Sequence, residues 1–251
     1  MKQLPIAFFF LLLCLADSLR AQHVKMITSG SIEYEKSVNV AEVMSKLVDD
    51  KAQKEKLLEL YKTKPKFAVF KSSLDFSQNK TLYNSGAEAA SYSLLNPAVA
   101  QNNLVYTDLE TGVRTTQRDS PYGLFLVTDT VRPVKWKVTD ETRTILGYPC
   151  RRANGLIMDS VYVVAFFTGD IPVSGGPESF TGLPGMILLL SLPHENMTWT
   201  ATKIDAAAPP ALAPPTKGKK KTQAEYRAIV ETQLKIPQGT RRKIYLRGLL
   251  L

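Results

Sequence analysis

The chain of 251 residues is poor in the side chains that carry most covalent and metal chemistry, with two Cys and two His. Cys14 lies in an apolar leader, so a processed chain would keep Cys150 as its only thiol and could form no internal disulfide. The sequence contains no Gly-x-Ser-x-Gly elbow, phosphate-binding loop, His-Glu-x-x-His helix or dinucleotide fingerprint. These absences disfavour an enzyme, and no cofactor is predicted.

Long apolar runs are missing beyond the first 21 residues. Residues 1–21 combine one Lys, an apolar stretch over 6–15 and a small residue, Ala21, at the end, which is typical of a signal peptide. The alternative is a lipoprotein signal ending at Cys14, although the bulky Leu13 before it is unusual. The apolar run is shorter than the roughly 20 residues of a membrane span. We therefore expect export to the periplasm or outer membrane, or secretion, and no transmembrane segment after cleavage.

Positive charge is concentrated near the carboxyl end of the chain. The net charge is +9, and residues 217–251 hold ten Lys/Arg and two Glu, a net of +8. Residues 1–216 are therefore nearly neutral, which argues against a nucleic-acid-binding body. The expected partners are envelope proteins, anionic lipid or lipopolysaccharide, bound through the basic tail. Its candidate residues are Lys217, Lys219, Lys220, Lys221, Arg241, Arg242 and Lys243.

Composition and periodicity divide the remaining chain into three parts. Residues 22–205 show the short alternating segments of a β-rich domain. Residues 206–216 are almost entirely Ala and Pro and predict a stiff linker. Residues 217–251 form the basic tail, with a helix over 222–235 that begins at a capping box, and with disorder or a loose strand at its end. We expect the tail to move independently of the body.

Within the β-rich part, alternating patterns predict most strands. Residues 31–38 alternate with Lys36 as the one interruption, which places this strand near an edge. An amphipathic helix is predicted over 40–62, with an interruption around Asp49-Asp50. Asn154-Gly155 predicts a hairpin turn. Further strands are predicted at 67–77, 103–109, 113–118, 123–128, 134–138, 145–153 and 197–201, with a long loop over 78–102.

The most strongly patterned stretch is 165–190. The runs 161–167 and 186–190 are continuously apolar, which indicates strands covered on both faces. Between them lies a segment rich in Gly and Pro, in which Pro184 and Gly185 predict a type II turn. This turn would set the direction of the second strand.

The same stretch carries a family resemblance. Residues 182–187 read G-L-P-G-M-I, and W-K-V-T-D-E-T-R-T-I-L-G-Y-P-C-R-R-A precedes them at 136–153. The chain thereby resembles the bacterial GLPGLI family over roughly residues 30–235, with Met186 in place of the usual Leu. Phe166-Phe167 and Asp159-Ser160 depart from the family pattern. The resemblance implies an exported or envelope protein of Gram-negative bacteria and implies no activity or catalytic residue.

The predicted fold is a β-rich α+β domain with a curved antiparallel sheet, one covering helix and a C-terminal helix. The strands predicted at 161–167 and 186–190 are expected to be buried on both faces, which requires a helix packed over the sheet. This architecture would resemble the half-barrel of periplasmic lipoprotein carriers, an analogy of pattern alone. We therefore expect a non-enzymatic binding or structural module of the cell envelope. The alternatives are a carrier of an apolar ligand in the concave face of the sheet and a soft-metal protein.

Candidate site residues follow from these hypotheses. A carboxylate pair, Asp170 and Glu178, flanks the signature loop. A soft-metal site for copper could combine Cys150, His194 and Met186 with Met158 and Met197. These residues lack the spacing of metal ligands, so buried packing is the favoured explanation for them. The candidate ligand or partner surface consists of Gly182, Leu183, Pro184, Gly185, Asp170 and Glu178.

Overall fold

The computed structural model describes residues 26–86, 101–158, 160–207, 209, 211–236 and 239–250. Within these residues twelve strands form one sheet, flanked by four helices and a 3-10 helix at Pro193–Glu195. The strands are β1 (Ser29–Asn39), β2 (Phe67–Ser77), β3 (Lys80–Asn84), β4 (Asn102–Asp108), β5 (Val113–Ser120), β6 (Gly123–Thr130), β7 (Lys137–Ile145), β8 (Tyr148–Ile157), β9 (Val161–Thr168), β10 (Met186–Leu192), β11 (Met197–Asp205) and β12 (Lys219–Lys221). The helices are α1 (Val40–Ser45), α2 (Lys51–Tyr61), α3 (Gln223–Gln233) and α4 (Thr240–Leu250).

The sheet consists of two meanders, and within each of them strands that follow one another in the chain are neighbours in the sheet. Strands β1 to β6 pair in chain order, and so do β7 to β11; β1 then pairs with β11 and joins the two meanders. The pairs are antiparallel except that β12 runs parallel to β6. The predicted β-rich α+β fold with a curved antiparallel sheet is confirmed. No helix among the described residues has both the length and the apolar character needed to cross a membrane.

One face of the sheet, here called the inner face, carries the buried alternate residues of β1, and their cross-strand partners continue it. Lys36 lies opposite Trp199 of β11 and Phe70 of β2, and all three are buried. The expectation that Lys36 marks a sheet edge was wrong, because β1 lies between two strands. Its ammonium group lies 4.9 Å from the centre of the Trp199 ring, a cation–π contact that offsets part of its burial. The inner-face residues of β1 are Ile32, Tyr34, Lys36 and Val38.

The two apolar runs form strands β9 and β10, as predicted, and β9 is buried along nearly all its length. The two strands are antiparallel neighbours in the sheet. Its neighbour β8 does not turn at Asn154-Gly155, and this expectation was wrong. Both residues lie inside β8, and Leu146 and Gly147 make the β7–β8 turn with φ of 50° and 84°. A Cβ at Gly155 would lie 2.8 Å from the Trp136 side chain, so close packing explains this glycine.

The helical cover of the sheet differs from the prediction. The expected helix over 40–62 divides into α1 and α2, and Asp50 caps α2 by accepting a hydrogen bond from the Gln53 N–H at 2.8 Å. Helix α2 buries no side chain, because its many charged residues leave no apolar face. The segment 169–185 covers the inner face beside β10 instead, through the buried side chains Ile171, Val173, Phe180 and Leu183.

The carboxyl-terminal segment packs on the sheet rather than forming an independently moving tether. Strand β12 pairs with Phe125–Val127 of β6, and Tyr226 and Val230 of α3 pack on the same strand. The predicted capping box of α3 is present at Thr222 and Glu225. The expected disorder or loose strand at the end is instead helix α4, because its last turn buries Leu249 and Leu250 against this cluster. The predicted loop over 78–102 contains β3, and residues 87–100 lie outside the described residues.

Candidate functional site

The predicted signature turn has a different hydrogen bond from the one expected. The Gly185 N–H donates to the Leu183 carbonyl at 2.8 Å, which closes a three-residue γ-turn around Pro184. The Met186 N–H donates instead to the Ile171 carbonyl at 3.0 Å, so the type II turn was wrong. Gly185 has a φ of 147°, and a Cβ there would lie 2.0 Å from the Thr168 carbonyl oxygen. Glycine is therefore required by both backbone conformation and space.

The signature loop serves mainly as packing for the inner face. Leu183 is buried, whereas Gly182 and Pro184 are exposed. The Trp136 Nε1–H donates to the Thr181 carbonyl at 2.8 Å and fixes the loop. At Gly175 a Cβ would lie 2.9 Å from Thr81 of β3, so this glycine permits the close approach. The loop thus covers the inner face beside β10 with buried apolar side chains.

The two candidate carboxylates have different surroundings. Glu178, with a φ of 54°, accepts a hydrogen bond from the Asn103 amide at 3.3 Å and interacts electrostatically with Lys36. The Asp170 carboxylate instead interacts electrostatically with the Cys150 thiol. Burial lowers the pKa of Lys36, and the nearby Glu178 carboxylate opposes that shift. The Glu178 carboxylate therefore partly offsets the burial of an inner-face lysine.

The soft-metal candidates occupy different environments. Cys150 is fully buried, and burial raises the pKa of its thiol to about 11, which disfavours the thiolate that binds metals. Met186 is fully buried in the main core. His194 is exposed at the 3-10 helix, where its ring contacts Tyr162 and its carbonyl accepts a hydrogen bond from Lys46. Among the described residues no group of three His, Cys, Asp or Glu could hold a metal ion.

The basic tail residues divide into exposed and structural ones. Lys217, Lys219 and Lys220 are exposed, and Lys221 forms an ion pair with Glu225 at 3.4 Å. Arg242 is structural, since its guanidinium donates to three carbonyl oxygens at and beyond the end of α3, at 2.6 to 3.0 Å. The side chain of Arg241 lies outside the described residues, and Lys243 lies at the rim of a pocket.

This pocket, here called the seam pocket, has a volume of about 760 Å³ and lies where α3 and α4 meet the turn after β8. None of the described residues that line it is acidic. Arg227 pairs with Glu231 at 2.8 Å, and Arg247 pairs with Glu195 at 3.4 Å, both outside the lining. A neighbouring cleft of about 640 Å³ shares two lining residues but includes Asp49 and lysines of α2. The seam pocket is lined by Arg132, Met158, Ser160, Gln223, Arg227, Lys243, Leu246, Arg247 and Leu250.

Buried arginines lie behind the seam pocket on the inner face of β5. Arg114 and Arg118 are each 3% exposed. The Arg118 guanidinium donates to the Leu249 carbonyl at 3.0 Å, and that of Arg132 donates to the Leu250 carbonyl at 3.1 Å. Burial and the charges of Arg118 and Arg132 lower the pKa of Arg114 to about 10. The positive charges of Arg118 and Arg132 thus act on Arg114, and the Asp129 carboxylate opposes them in part.

Sequence reasoning missed the seam pocket and the arginines behind it. The available signal was the spacing of Arg114, Thr116 and Arg118, which puts all three on one face of β5. Nothing in the sequence indicated that this face would be buried, since its cover comes from helices more than 100 residues later. Leu246 and Leu250, spaced by four residues, were likewise hidden in a segment expected to be disordered.

The comparison with protein families finds a match in the central part of the chain. Residues 156–189 match the model of a family described as "Protein of unknown function (Porph_ging)". The match includes the G-L-P-G-M-I stretch and much less than half of the chain. It confirms similarity to an uncharacterised family. No curated protein matches.

Among solved structures, the chain is similar to PNGF-II. Two crystal forms of that protein, in space groups P21 and C2, each align with a TM-score of 0.53 and 15% identity. The alignments cover 81% of this chain and 33% and 32% of the PNGF-II chain. This chain therefore spans about a third of the length of those structures. At this identity the similarity supports the β-rich fold alone.

Proposed function

We propose that the protein is a non-enzymatic binding protein for an anionic amphiphile, meaning an apolar chain that ends in a carboxylate or phosphate. The observation that carries the proposal is the lining of the seam pocket. It combines the apolar side chains of Met158, Leu246 and Leu250 with four Arg or Lys side chains, and none of the lining residues that the structure describes is acidic. The proposal keeps the carrier hypothesis but places the ligand site at the seam beneath α3 and α4. The signature loop covers the inner face beside β10.

Size and chemistry both support this assignment. A volume of about 760 Å³ falls within the roughly 300–1,000 Å³ of small-molecule sites. Met158 and Leu246 also pack against the second core cluster, so the apolar wall is continuous with the protein interior. Arg132 and Lys243 form no ion pair with any described residue. A ligand anion would therefore gain their attraction without displacing a carboxylate of the described part of the chain.

The proposed setting is the cell envelope. Residues 1–21 resemble a signal peptide, and the signature stretch resembles the exported GLPGLI family. We extend both resemblances to a proposal of export to the periplasm or outer membrane. Anionic amphiphiles, including fatty acids and phospholipids, are abundant there. The soft-metal alternative gains no support, because the only thiol beyond the leader is buried with a raised pKa.

Ligand binding tests the proposal directly. Delipidated protein should bind dodecyl phosphate or dodecanoate with one site in calorimetry, and native mass spectrometry should detect a bound ligand after purification from cells. Leu246→Asp should weaken binding at least roughly tenfold, since it places a charge in the apolar wall. Leu156→Asp is the matched control, because Leu156 is 50% exposed on β8 and outside the pocket. Absence of binding by the unmodified protein would overturn the proposal.

A further inference from the structure

We propose that Arg114 forms the head-group subsite of the seam pocket and that the Gln223 side chain is its movable cover. The ligand group is an oxyanion with at least two oxygen atoms, a phosphate or a carboxylate. This inference rests on the proposed function, because it assigns the polar end of the same ligand. It adds Arg114, which is not among the residues that line the pocket, and a movement of the Gln223 side chain that would open a path from the pocket to Arg114.

The first observation is that Arg114 is buried without an adequate acceptor. Its Nε and Nη1 groups are buried and have no hydrogen-bond partner among the described residues. Its Nη2 group contacts the Gln223 amide oxygen at 3.4 Å, which is long for a guanidinium hydrogen bond. A buried donor without an acceptor destabilises the folded protein, and a charged donor does so more strongly. An oxyanion would remove this cost through the planar fork of the guanidinium.

The second observation is that the carboxylate facing this charge offsets it only in part, through the attraction of Asp129 at more than ion-pair distance. Asp129 lies opposite Arg114 in the β5–β6 register, but no ion pair within 4.0 Å joins them. The Asp129 carboxylate instead accepts the Thr130 N–H at 2.7 Å. The charges of Arg118 and Arg132 also act on Arg114 and lower its pKa. The positive charges of Arg118 and Arg132 thus act on Arg114 together with the opposing charge of Asp129. The acceptors of Arg118 and Arg132 at the end of α4 are neutral carbonyl oxygens.

The third observation is the position of Gln223 between Arg114 and the pocket. Gln223 is the first residue of α3, and its side chain lines the seam pocket. The same side chain contacts Arg114 through its amide oxygen. Rotation about its side-chain bonds would expose Arg114 to the pocket without a change in the backbone. The incoming oxyanion would then replace a neutral amide oxygen as the acceptor.

The test compares dodecyl phosphate with dodecanol, which has the same chain and no charge. The unmodified protein should prefer the phosphate roughly 10- to 100-fold, the range expected for charge-assisted hydrogen bonds. Arg114→Gln should reduce this preference to a few-fold while leaving dodecanol binding unchanged. Arg151→Gln is the matched control, since Arg151 is exposed on β8 and should keep the full preference. Gln223→Glu supplies a fixed carboxylate to Arg114 and should raise the melting temperature while abolishing the preference.

The outcomes separate the two proposals. Full phosphate preference in both Arg114→Gln and Gln223→Glu overturns the subsite and leaves the amphiphile pocket standing. If Arg114→Gln fails to fold, the Gln223→Glu result decides alone. If the unmodified protein binds neither amphiphile, inorganic phosphate is titrated while the arginine Nε–H signals are followed by NMR. A shift of the Arg114 signal then supports a site for free oxyanion without the proposed function, and no shift overturns both.

Discussion

At the residue scale, three glycines of the 165–190 stretch, Gly175, Gly176 and Gly185, are explained by close contacts rather than by flexibility. Gly185 combines a φ of 147° with a neighbouring carbonyl oxygen that would lie 2.0 Å from any Cβ. Gly112 has a φ of 67°, but no neighbouring atom would lie within 4 Å of a Cβ there. The sequence predicted that Gly185 was required, and it predicted the wrong reason. A Pro-Gly pattern specifies a turn, whereas the contact with Thr168 depends on how β9 and β10 pair.

Substitutions at Gly185 and Gly112 should separate the cost of an unfavourable backbone conformation from the cost of a steric clash. Gly185→Ala should destabilise the protein by roughly 2 kcal/mol or more, because it adds a clash to an unfavourable φ. Gly112→Ala should cost only about 1–2 kcal/mol, since the backbone conformation alone opposes it. Pro184→Ala should cost about 0.4–1 kcal/mol through the entropy of the unfolded chain. Urea unfolding measures all three, and equal losses at the two glycines would contradict the collision.

At the element scale, the sequence predicted strands well in two cases. In the first, one face of the strand is exposed to solvent; in the second, local packing buries both faces. Strands β1, β2, β4, β5, β6, β9, β10 and β11 all lie where the alternation or the apolar runs indicated. The errors occur where a distant contact overrides a local signal. Asn154-Gly155 is a strong hairpin sequence, yet the Trp136 ring covers Gly155 and β8 continues through it. The seam pocket was unpredictable for the same reason, because helices from the end of the chain create it.

The true β7–β8 turn offers a stabilising substitution. Leu146 has a φ of 50°, which is unfavourable for a non-glycine residue, and its side chain is 46% exposed. Leu146→Asn would form the Asn-Gly pair preferred in tight hairpins, so the free energy of unfolding should rise by roughly 0.5–1 kcal/mol. Leu156→Asn, in an exposed extended position, should bring no gain. A melting temperature that falls for Leu146→Asn would contradict the turn assignment.

At the scale of the whole molecule, the excess charge is displayed by a packed segment. Residues 217–251 carry +8 of the total +9, yet their apolar side chains belong to a core cluster with Phe125 and Val127. Some of the basic groups, notably Arg242, hold helices together. The lysines at and before β12 remain exposed beside the last strand of the sheet. We propose these lysines as the contact with anionic lipid, lipopolysaccharide or an acidic envelope protein.

Substitution is the appropriate test of this contact, because deletion of the segment would also remove part of the core. The triple variant Lys217→Gln, Lys219→Gln, Lys220→Gln should bind anionic phospholipid vesicles several-fold more weakly at low salt, with about 1 kcal/mol at stake per lysine near the membrane surface. The difference should shrink at about 0.5 M salt through screening. A control variant with Lys51, Lys54 and Lys56 of α2 changed to Gln loses the same charge. Equal weakening in both variants would show that only net charge matters.

The join between the two meanders has a consequence for the order in which the chain can fold. Each meander brings together strands that are close in sequence, so its contacts can form early and locally. The β1–β11 pair instead aligns Ser31 with Asp205, which are 174 residues apart (205 − 31). Closing so long a loop is entropically costly and slow compared with hairpin formation. The two half-sheets therefore exist with exposed apolar edges until nearly the whole chain has been synthesised, and this interval is when the protein is most exposed to aggregation.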